Sequence, residues 1–330
     1  MSFVWIEKAK IILSRTQWPT YWHGELTGEL VTLALFLCFF AMLNLELRLP
    51  RLIYTPRQIK LSYQTNISLF ILNSMVITVF SVSTLLTIAE HYSGNGLLNF
   101  VPNPMLKALL SLLAIDLLLY IWHQACHRLE FLWLFHRVHH SDSCMNVSTA
   151  FRLHFLETIA TTCLKALLIV TLGIDKMLVL TLETLILLCA IFKHTNIGFK
   201  YERILGCIII APLLHRLHHS KLRSEYDHNY GVVFSFWDRL FGTFSLAEPE
   251  TIGLKNSPPE NVLSLLKFGF GCEAPVWNNP LNFELMIAEA AFYKAEKRNF
   301  CPGDELRDWL EAKADILRDN TQNQQRKQVG

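Results

Sequence analysis

The stretch "WHQACHRLEFLWLFHRVHHSD", residues 122–142, decides how the rest of the chain is read. It carries His123, His127, His136, His139 and His140, in a chain that is 52% hydrophobic. A second run, "LHRLHHS" at 214–220, repeats the H-x-x-H-H spacing with His215, His218 and His219. Helix positions three and four apart share a face. His123 and His127 are therefore expected to form one pair, and each H-x-x-H-H box to present its imidazoles to one point. A lone histidine on an apolar face is ordinarily a hydrogen-bonded core residue, but eight in three such groups need another cause. Packed imidazolium ions would repel, so most must be neutral and something must gather them. A metal does so, because neutral imidazole is the commonest side-chain metal ligand. Zinc usually takes about four ligands, so this many imidazoles fit two ions better than one. All-nitrogen ligation suits iron, zinc or copper and does not choose among them.

Working outward, the apolar run "MLKALLSLLAIDLLLYIW" (105–122) leads directly into the first histidine. A membrane span needs about 20 mostly apolar residues. Residues 30–49 and 67–89 meet that, and 155–174 and 176–192 read as a helical hairpin turning at Gly173–Lys176. Residues 204–214 are too short to span and read as re-entrant or interfacial. Arg48, Arg51, Arg57 and Lys60 follow the first run, whereas the loop after the second, 90–104, holds no Lys or Arg. By the positive-inside rule the first loop is cytoplasmic. That orientation brings every histidine from 123 to 228 to one cytoplasmic face. The fold expected is all-α and integral to the membrane, with about four transmembrane helices under a cytoplasmic, histidine-rich, helical di-metal cap.

Composition agrees. The charged fraction of 18% is low for a soluble domain, and the net charge of +2 gives no electrostatic case for nucleic acid. The aromatic run "FSFWDRLFGTF" (234–244) therefore reads as core rather than as a base-stacking platform. Eight cysteines form no C-x-x-C pair and several lie in apolar runs, so they read as reduced. The opening "MSFVWIEKAKIILSRTQW" is amphipathic, without a secretory pattern, and suits a membrane-surface or plain soluble helix.

The boxes resemble those of the fatty acid hydroxylase / sterol desaturase superfamily of membrane di-iron enzymes. "AIDLLLYIWHQACH" is similar to its D-x-x-x-Y-x-x-H-x-x-x-H, "HRVHHSDSCMNVSTAFRLHFLE" to its H-x-x-H-H-S-D…T-A-x-R-x-H-x-x-E in the bacterial branch, and "FKHTNIG" to its H-[TA]-N. "HRLHHSKLRSEYDHNYGVVFSFWDRLFGTF" resembles its last box. The resemblance covers roughly residues 65–250. It implies two iron ions, zinc entering by mismetallation, and O2 as co-substrate. It also implies hydroxylation, desaturation or ether cleavage of a fatty acyl, sterol or alkylglycerol-like lipid. Electrons would come from an external donor, a ferredoxin or a cytochrome b5-like protein with its reductase, since no haem-binding segment is evident here. The location implied is the bacterial inner membrane, multi-pass. Carried over by position, the ligands are His123, His127, His136, His139, His140, His194, His215, His218 and His219. Some members have a further histidine where this chain has Ala190, so a tenth ligand would be water, His154 or His228. His23 and His91 fall outside the boxes and read as structural.

Carboxylates usually orient ligating imidazoles. Asp116, two turns before His123, is expected to hydrogen-bond one, because a carboxylate inside a span is costly. Asp142 is a second functional candidate, followed by Asn146, Arg152, Glu157, Asp227, Asn229 and Asp238. Two other functions compete: a zinc membrane hydrolase, disfavoured by the lack of an H-E-x-x-H base, and a non-enzymatic metal-binding or transport protein. The latter would place ligands at mid-membrane rather than at helix ends.

The membrane domain is expected over 1–250. Five prolines within 246–280 mark a linker at 251–280. Beyond it the chain is polar and amphipathic, broken by "CPG" into helices at 282–298 and 303–318. This 281–320 hairpin resembles a small bacterial domain of unknown function (DUF2934-like), and 321–330 reads as a disordered tail.

Overall fold

A computed structural model describes residues 25–76, 82–254, 260–271 and 280–328. The amphipathic stretch 1–18 and His23 lie outside them. Among the described residues the fold is helical, with isolated bridges Pro50–Ile197, Ile209–Phe234 and Ser220–Ile252 in place of strands. The chain divides into two compact units, 1–270 and 271–330.

Among the described residues of the first unit, four helices are long and apolar enough to cross a membrane. They are α1 (Glu25–Arg48), α4 (Pro104–Arg128), α6 (Phe155–Leu172) and α7 (Lys176–His194). On α1, Leu33, Phe36, Leu37 and Phe40 are 55–63% exposed, a band of apolar surface that water would not tolerate and acyl chains would cover. Between α1 and α4 run α2 (Pro56–Val76) and α3 (Val82–Tyr92). The span expected at 67–89 therefore falls on two described helices, with 77–81 outside the described residues. Polar side chains explain why α2 departs from a simple span. Ser62 and Asn66 are buried against Asp142, and Asn73 donates to the Leu153 carbonyl.

Local signals start and stop these helices. Asn103 caps α4, accepting from the Met105 and Leu106 N–H groups at 2.9 and 3.1 Å, with Pro104 at the first helical position. Gly173 ends α6 in the left-handed region (φ 69°), and Asp175 caps α7 by accepting from the Leu178 N–H, so the expected hairpin turn forms. Lys165 on α6 and Glu183 on α7 pair at 2.6 Å, each nearly buried, which satisfies two charges inside the apolar hairpin. The core beneath packs Leu85 and Ala89 of α3, Ile115 and Leu119 of α4, Ile169, Ile174, Val179 and Leu182.

The remaining helices are short and sit around the histidines: α5 (Glu130–His140), α8 (Glu202–Leu205), α9 (Pro212–His218), α10 (Arg223–Tyr226), α11 (Phe236–Leu240) and α12 (Val262–Gly269). Residues 204–214 split as expected of a non-spanning segment, with Ile204 and Ile208 exposed and Ile210, Leu213 and Leu214 buried. The stretch 251–280, expected as a linker, instead contributes α12 to the first unit. Leu265 and Phe268 pack on Leu69 and Val138, Glu260 pairs with Arg152, and Arg137 donates to the Phe268 carbonyl.

The second unit is a hairpin of α13 (Pro280–Lys297) and α14 (Glu305–Gln328). Ile287 and Ala312 are fully buried, and Arg298–Asp308 and Lys294–Asp315 pair across it. The tail expected to be disordered from 321 is helical to Gln328, continuing α14 without a break in register.

Candidate metal centre

Nine histidines converge beyond the ends of the apolar helices. His123 and His127 lie on the last two turns of α4, His136, His139 and His140 on α5, His194 ends α7, and His215 and His218 lie on α9 with His219 just past it. They divide into two buried groups whose ligand atoms lie within 4.8 Å of one another. Site 1 is His123, His127, His136, His140 and His218; site 2 is His139, His194, His215 and His219. The expectation that each H-x-x-H-H box faces one point is corrected here. Residues four apart stay together, so His136 and His140 enter site 1 and His215 and His219 enter site 2. The residue three along turns away about 100° from its neighbour, so His139 crosses to site 2 and His218 to site 1. Each box gives a pair to one site and a single imidazole to the other.

The ring nitrogens show what the groups are built to hold. Six Nδ1 atoms face oxygens that can only accept. They are the carbonyls of Tyr230 (His123, 2.7 Å), Arg152 (His139, 3.2 Å), Ala190 (His194, 2.6 Å) and His228 (His218, 2.8 Å), and the carboxylates of Asp227 (His127, 3.3 Å) and Glu157 (His136, 2.7 Å). Each such Nδ1 carries the proton, and each Nε2 turns a lone pair inward. Two of those lone pairs meet each other, and others meet Nε2 of His140 and His215, whose Nδ1 atoms are buried without a partner. His139 and His194 Nε2 are 3.1 Å apart with no proton between them, and His194 and His215 Nε2 are 2.9 Å apart. In site 1, His140 Nε2 lies 3.2 Å from both His127 and His136 Nε2. Facing lone pairs repel unless a cation lies among them. Two nitrogens bound at roughly 2.0–2.1 Å to one ion, at tetrahedral or right angles, are about 2.9–3.4 Å apart. His123 and His218 Nε2 and both ring nitrogens of His219 are buried without a partner, which a metal would also answer. The residues fit two ions. Burial, reinforced by the neighbouring imidazoles, holds His139, His140, His215, His218 and His219 well below the usual imidazole range, which favours neutral rings able to serve as ligands.

His154 and His228 join neither group. His154 Nδ1 caps α6 by accepting from the Leu156 N–H, and its ring lies among Phe135, Phe155 and Phe270, which pushes its pKa down to about 4. His228 contributes its carbonyl to His218 rather than its ring to a metal. His91 is exposed on α3.

Asp116 does not reach an imidazole. Its carboxylate accepts from the Val233 and Phe234 N–H groups (2.8 and 3.1 Å) and from Trp237 Nε1 (2.9 Å). Asp238 accepts from the Tyr230 and Gly231 N–H groups at 2.7 and 2.9 Å, and its desolvation raises its pKa to about 6. Both carboxylates thus clamp loop 230–234, whose Tyr230 carbonyl orients His123. A Cβ at Gly231 would come 2.6 Å from the Phe234 carbonyl, so only glycine fits the clamp. Asp142 is likewise saturated by Ser62, Asn66, Thr149 and the Cys144 N–H, and touches no imidazole. Asn146 donates to Ser62, Asn229 (φ 58°) bridges the Leu214 and Ser245 carbonyls, and Arg152 orients His139 through its carbonyl. A third potential ligand set, Cys126, His136 and Glu157, shares His136 with site 1.

Three polar residues of the site were not anticipated. Glu46, buried at the end of α1, accepts from the Val147 and Asn196 N–H groups and from Tyr63, tying the loops after His140 and His194. Buried Arg216 bridges Glu202 and the Ile197 carbonyl, and buried Lys193 lies beside His194. A charge inside or abutting an apolar run was the available signal for all three.

The comparisons with known proteins follow this geometry. A model of the fatty acid hydroxylase family matches residues 108–243, and one for a protein of unknown function (DUF2934) matches 283–318. The chain is 29% identical to ornithine lipid hydroxylase of Rhizobium tropici over 58% of this chain and 60% of that one. It is 30% identical to human alkylglycerol monooxygenase over 50% of this chain and 36% of that one. It is 24% identical to mouse cholesterol 25-hydroxylase over 44% of this chain and 49% of that one. The matches thus span less than two thirds of each of these relatives. No solved structure matches the chain.

Proposed function

We propose, for a chain that belongs through residues 108–243 to the fatty acid hydroxylase family, that it is an O2-dependent, di-iron membrane oxidoreductase that hydroxylates a lipid. The observation that carries this reading is the pair of buried, all-imidazole groups lying just beyond the ends of α4 and α7. The names of the similar proteins, an ornithine lipid hydroxylase, an alkylglycerol monooxygenase and a cholesterol hydroxylase, support a C–H bond of a lipid as the target. When bound, a redox-active iron pair supplies the O2-dependent oxidation of that bond. Balance requires two electrons and two protons for each O2, one oxygen entering the lipid and the other leaving as water. The reductant is an external ferredoxin or cytochrome b5-like donor.

The chain's own residues supply the rest. Protonated Nδ1 groups, held by Glu157, Asp227 and four carbonyls, aim six of the nine imidazoles' Nε2 lone pairs inward. The Asp116–Asp238 clamp holds loop 230–234, and through it His123, against rotation. Burial of every ring excludes bulk water, which strengthens each electrostatic contact. The exposed apolar faces of the spans bring acyl or ring carbon to the same level. Arg48, Arg51, Arg57 and Lys60 beyond α1 favour a cytoplasmic face of a bacterial inner membrane for the sites.

The test is metal content of detergent-purified protein beside a His139→Ala/His218→Ala variant, with mass spectrometry of host lipids from both. We expect about two irons per chain in the wild type and hydroxylated lipid (a gain of one oxygen) that the variant does not make. Folded wild-type protein without metal, or a lipid profile unchanged by expression, would overturn the reading.

A further inference from the structure

A surface cavity lies where α1 and α7 end. The loop after α1 and the loop after His194 are joined there: the Arg51 N–H donates to the Asn196 carbonyl at 3.0 Å, and the Gly198 N–H to the Leu49 carbonyl at 3.3 Å. Between them and Glu248 opens a cavity of ≈ 400 Å³. Its lining is mainly polar, with Arg51, Lys200 and Arg203 beside the apolar Phe199 and Leu213. We propose that this cavity binds the phosphodiester head group of an anionic phospholipid from the surrounding bilayer.

Three observations carry it, none depending on chemistry at the histidines. The first is convergence of charge on an anion. Arg51 and Arg203 both pair with the Glu248 carboxylate, Arg203 at 3.7 Å, so the chain already places an oxyanion between two guanidinium groups. That carboxylate marks where phosphate oxygens would sit. The second is a surplus of cation. Glu202, the other acid of the cavity, is engaged by buried Arg216 at 3.0 Å, and Lys200 makes no ion pair among the described residues. Glu248 thus answers two of the cavity's cations, Arg51 and Arg203, and Lys200 lines the same cavity outside those pairs. The stem of Arg51 passes close over Gly198, where a Cβ would come 3.1 Å from Arg51 Cδ, and its guanidinium pairs with Glu248.

The third is position. Leu47, Leu49 and Ile53 on one side and Tyr201, Ile204 and Ile208 on the other are 51–83% exposed, an apolar skirt around the charged rim. Apolar side chains with an aromatic and basic groups at a span's end are the anatomy of the head-group layer. A free phosphate ion would need only the cations. The skirt has a use only if acyl chains lie beside it, and basic pockets at helix ends recognise lipid head groups in this way.

Delipidated full-length protein in detergent would be titrated with phosphatidylglycerol, with phosphatidylcholine and inorganic phosphate as comparison ligands, and bound lipid counted by native mass spectrometry. Phosphatidylglycerol should bind more tightly than phosphatidylcholine, with inorganic phosphate failing to displace it. Lys200→Glu, an exposed position without an ion pair, should weaken phosphatidylglycerol binding several-fold, and Lys200→Glu/Arg203→Glu by about tenfold or more. Glu248→Gln, which removes the internal competitor, should tighten it. Metal content should stay at the wild-type value in all three. Unchanged phosphatidylglycerol binding in Lys200→Glu, equal binding of phosphatidylcholine, or full displacement by inorganic phosphate would each overturn the proposal.

Discussion

Glu157 offers the sharpest test of how the metal centre is built. Its Oε1 accepts from His136 Nδ1 at 2.7 Å, it is 9% exposed, and of the two all-histidine groups His136 belongs to site 1. Glu157→Gln keeps an oxygen that can accept the same proton but removes the charge. A hydrogen bond to a charged group contributes about 1.5–3 kcal/mol, and a neutral one about 0.5–1.5. The difference, roughly 1–1.5 kcal/mol, predicts about a tenfold loss of metal affinity at site 1. Glu157→Leu removes the acceptor altogether and frees the ring to take either tautomer. Loss of such a partner typically costs up to about 100-fold. Site 2 shares no ligand with Glu157 and should keep its affinity.

The assay is titration of metal-stripped protein in detergent with iron(II) or cobalt(II), against a competing chelator, fitted to two sites. Asp227→Asn is an internal scale: its bond to His127 is longer, 3.3 Å, and its side chain is 33% exposed, so its effect should be the smaller. If Glu157→Leu left both affinities within about twofold of wild type, the outer hydrogen bonds would not be what orients the ligands. If it weakened both sites equally, the division into two groups would be wrong.

Other outcomes follow from the same contacts. His139→Ala and His140→Ala, at adjacent positions, should each remove one metal but different ones, which spectroscopy of the remaining cobalt site would distinguish. Glu183→Leu should destabilise the α6–α7 hairpin by roughly 3–5 kcal/mol by stranding Lys165, and Lys165→Met/Glu183→Leu should recover most of it, read by denaturation in mixed micelles. His154 has a folded pKa of about 4 against an ordinary value near 6.5, so the unfolded chain takes up its proton first as pH falls. Stability should therefore drop between about pH 6.5 and 4, by at most roughly 3 kcal/mol, and level off below. His154→Asn, which keeps an acceptor for the Leu156 N–H and does not titrate, should shallow that slope in thermal midpoints taken across the range; equal slopes would count against the burial argument.

Much of the site is legible in the residues because its chemistry is dense. Nine imidazoles at helical spacings beside apolar runs have few physical explanations, and all nine lie in the two groups. Their division was not legible in the spacing alone. Whether His139 follows His140 or crosses to the other site depends on which partner helix meets each face of α5, and that is a long-range fact. The carboxylates misled for a related reason. Asp116 looks like a ligand's partner because a charge in an apolar run needs one, but backbone N–H groups of loop 230–234 satisfy it instead, more than a hundred residues away. Hydropathy across the run 67–89 likewise does not register that Asn73 within it donates to the Leu153 carbonyl.

The exchange of histidines between boxes has a consequence for assembly. If each H-x-x-H-H box had built its own centre, either could form while the rest of the cap was loose. Instead site 1 draws on α4, α5 and α9, and site 2 on α5, α7 and the end of α9. Neither can close until α5 and α9 are docked face to face, and docking them aligns both at once. The link between the sites is then a rigid one. His139 and His140 are consecutive on one helix, as His218 and His219 are consecutive at the end of another, so two short covalent tethers connect the centres from opposite sides. A pair of ions acting together, as proposed, needs its two sites held at a fixed spacing. Helical geometry at two adjacent pairs imposes that spacing more firmly than a set of flexible loops could, and the Asp116–Asp238 clamp and Glu46 brace the loops that remain. Lengthening α5 by one residue between His136 and His139 should therefore disrupt both sites together, whereas a single ligand change should disrupt one.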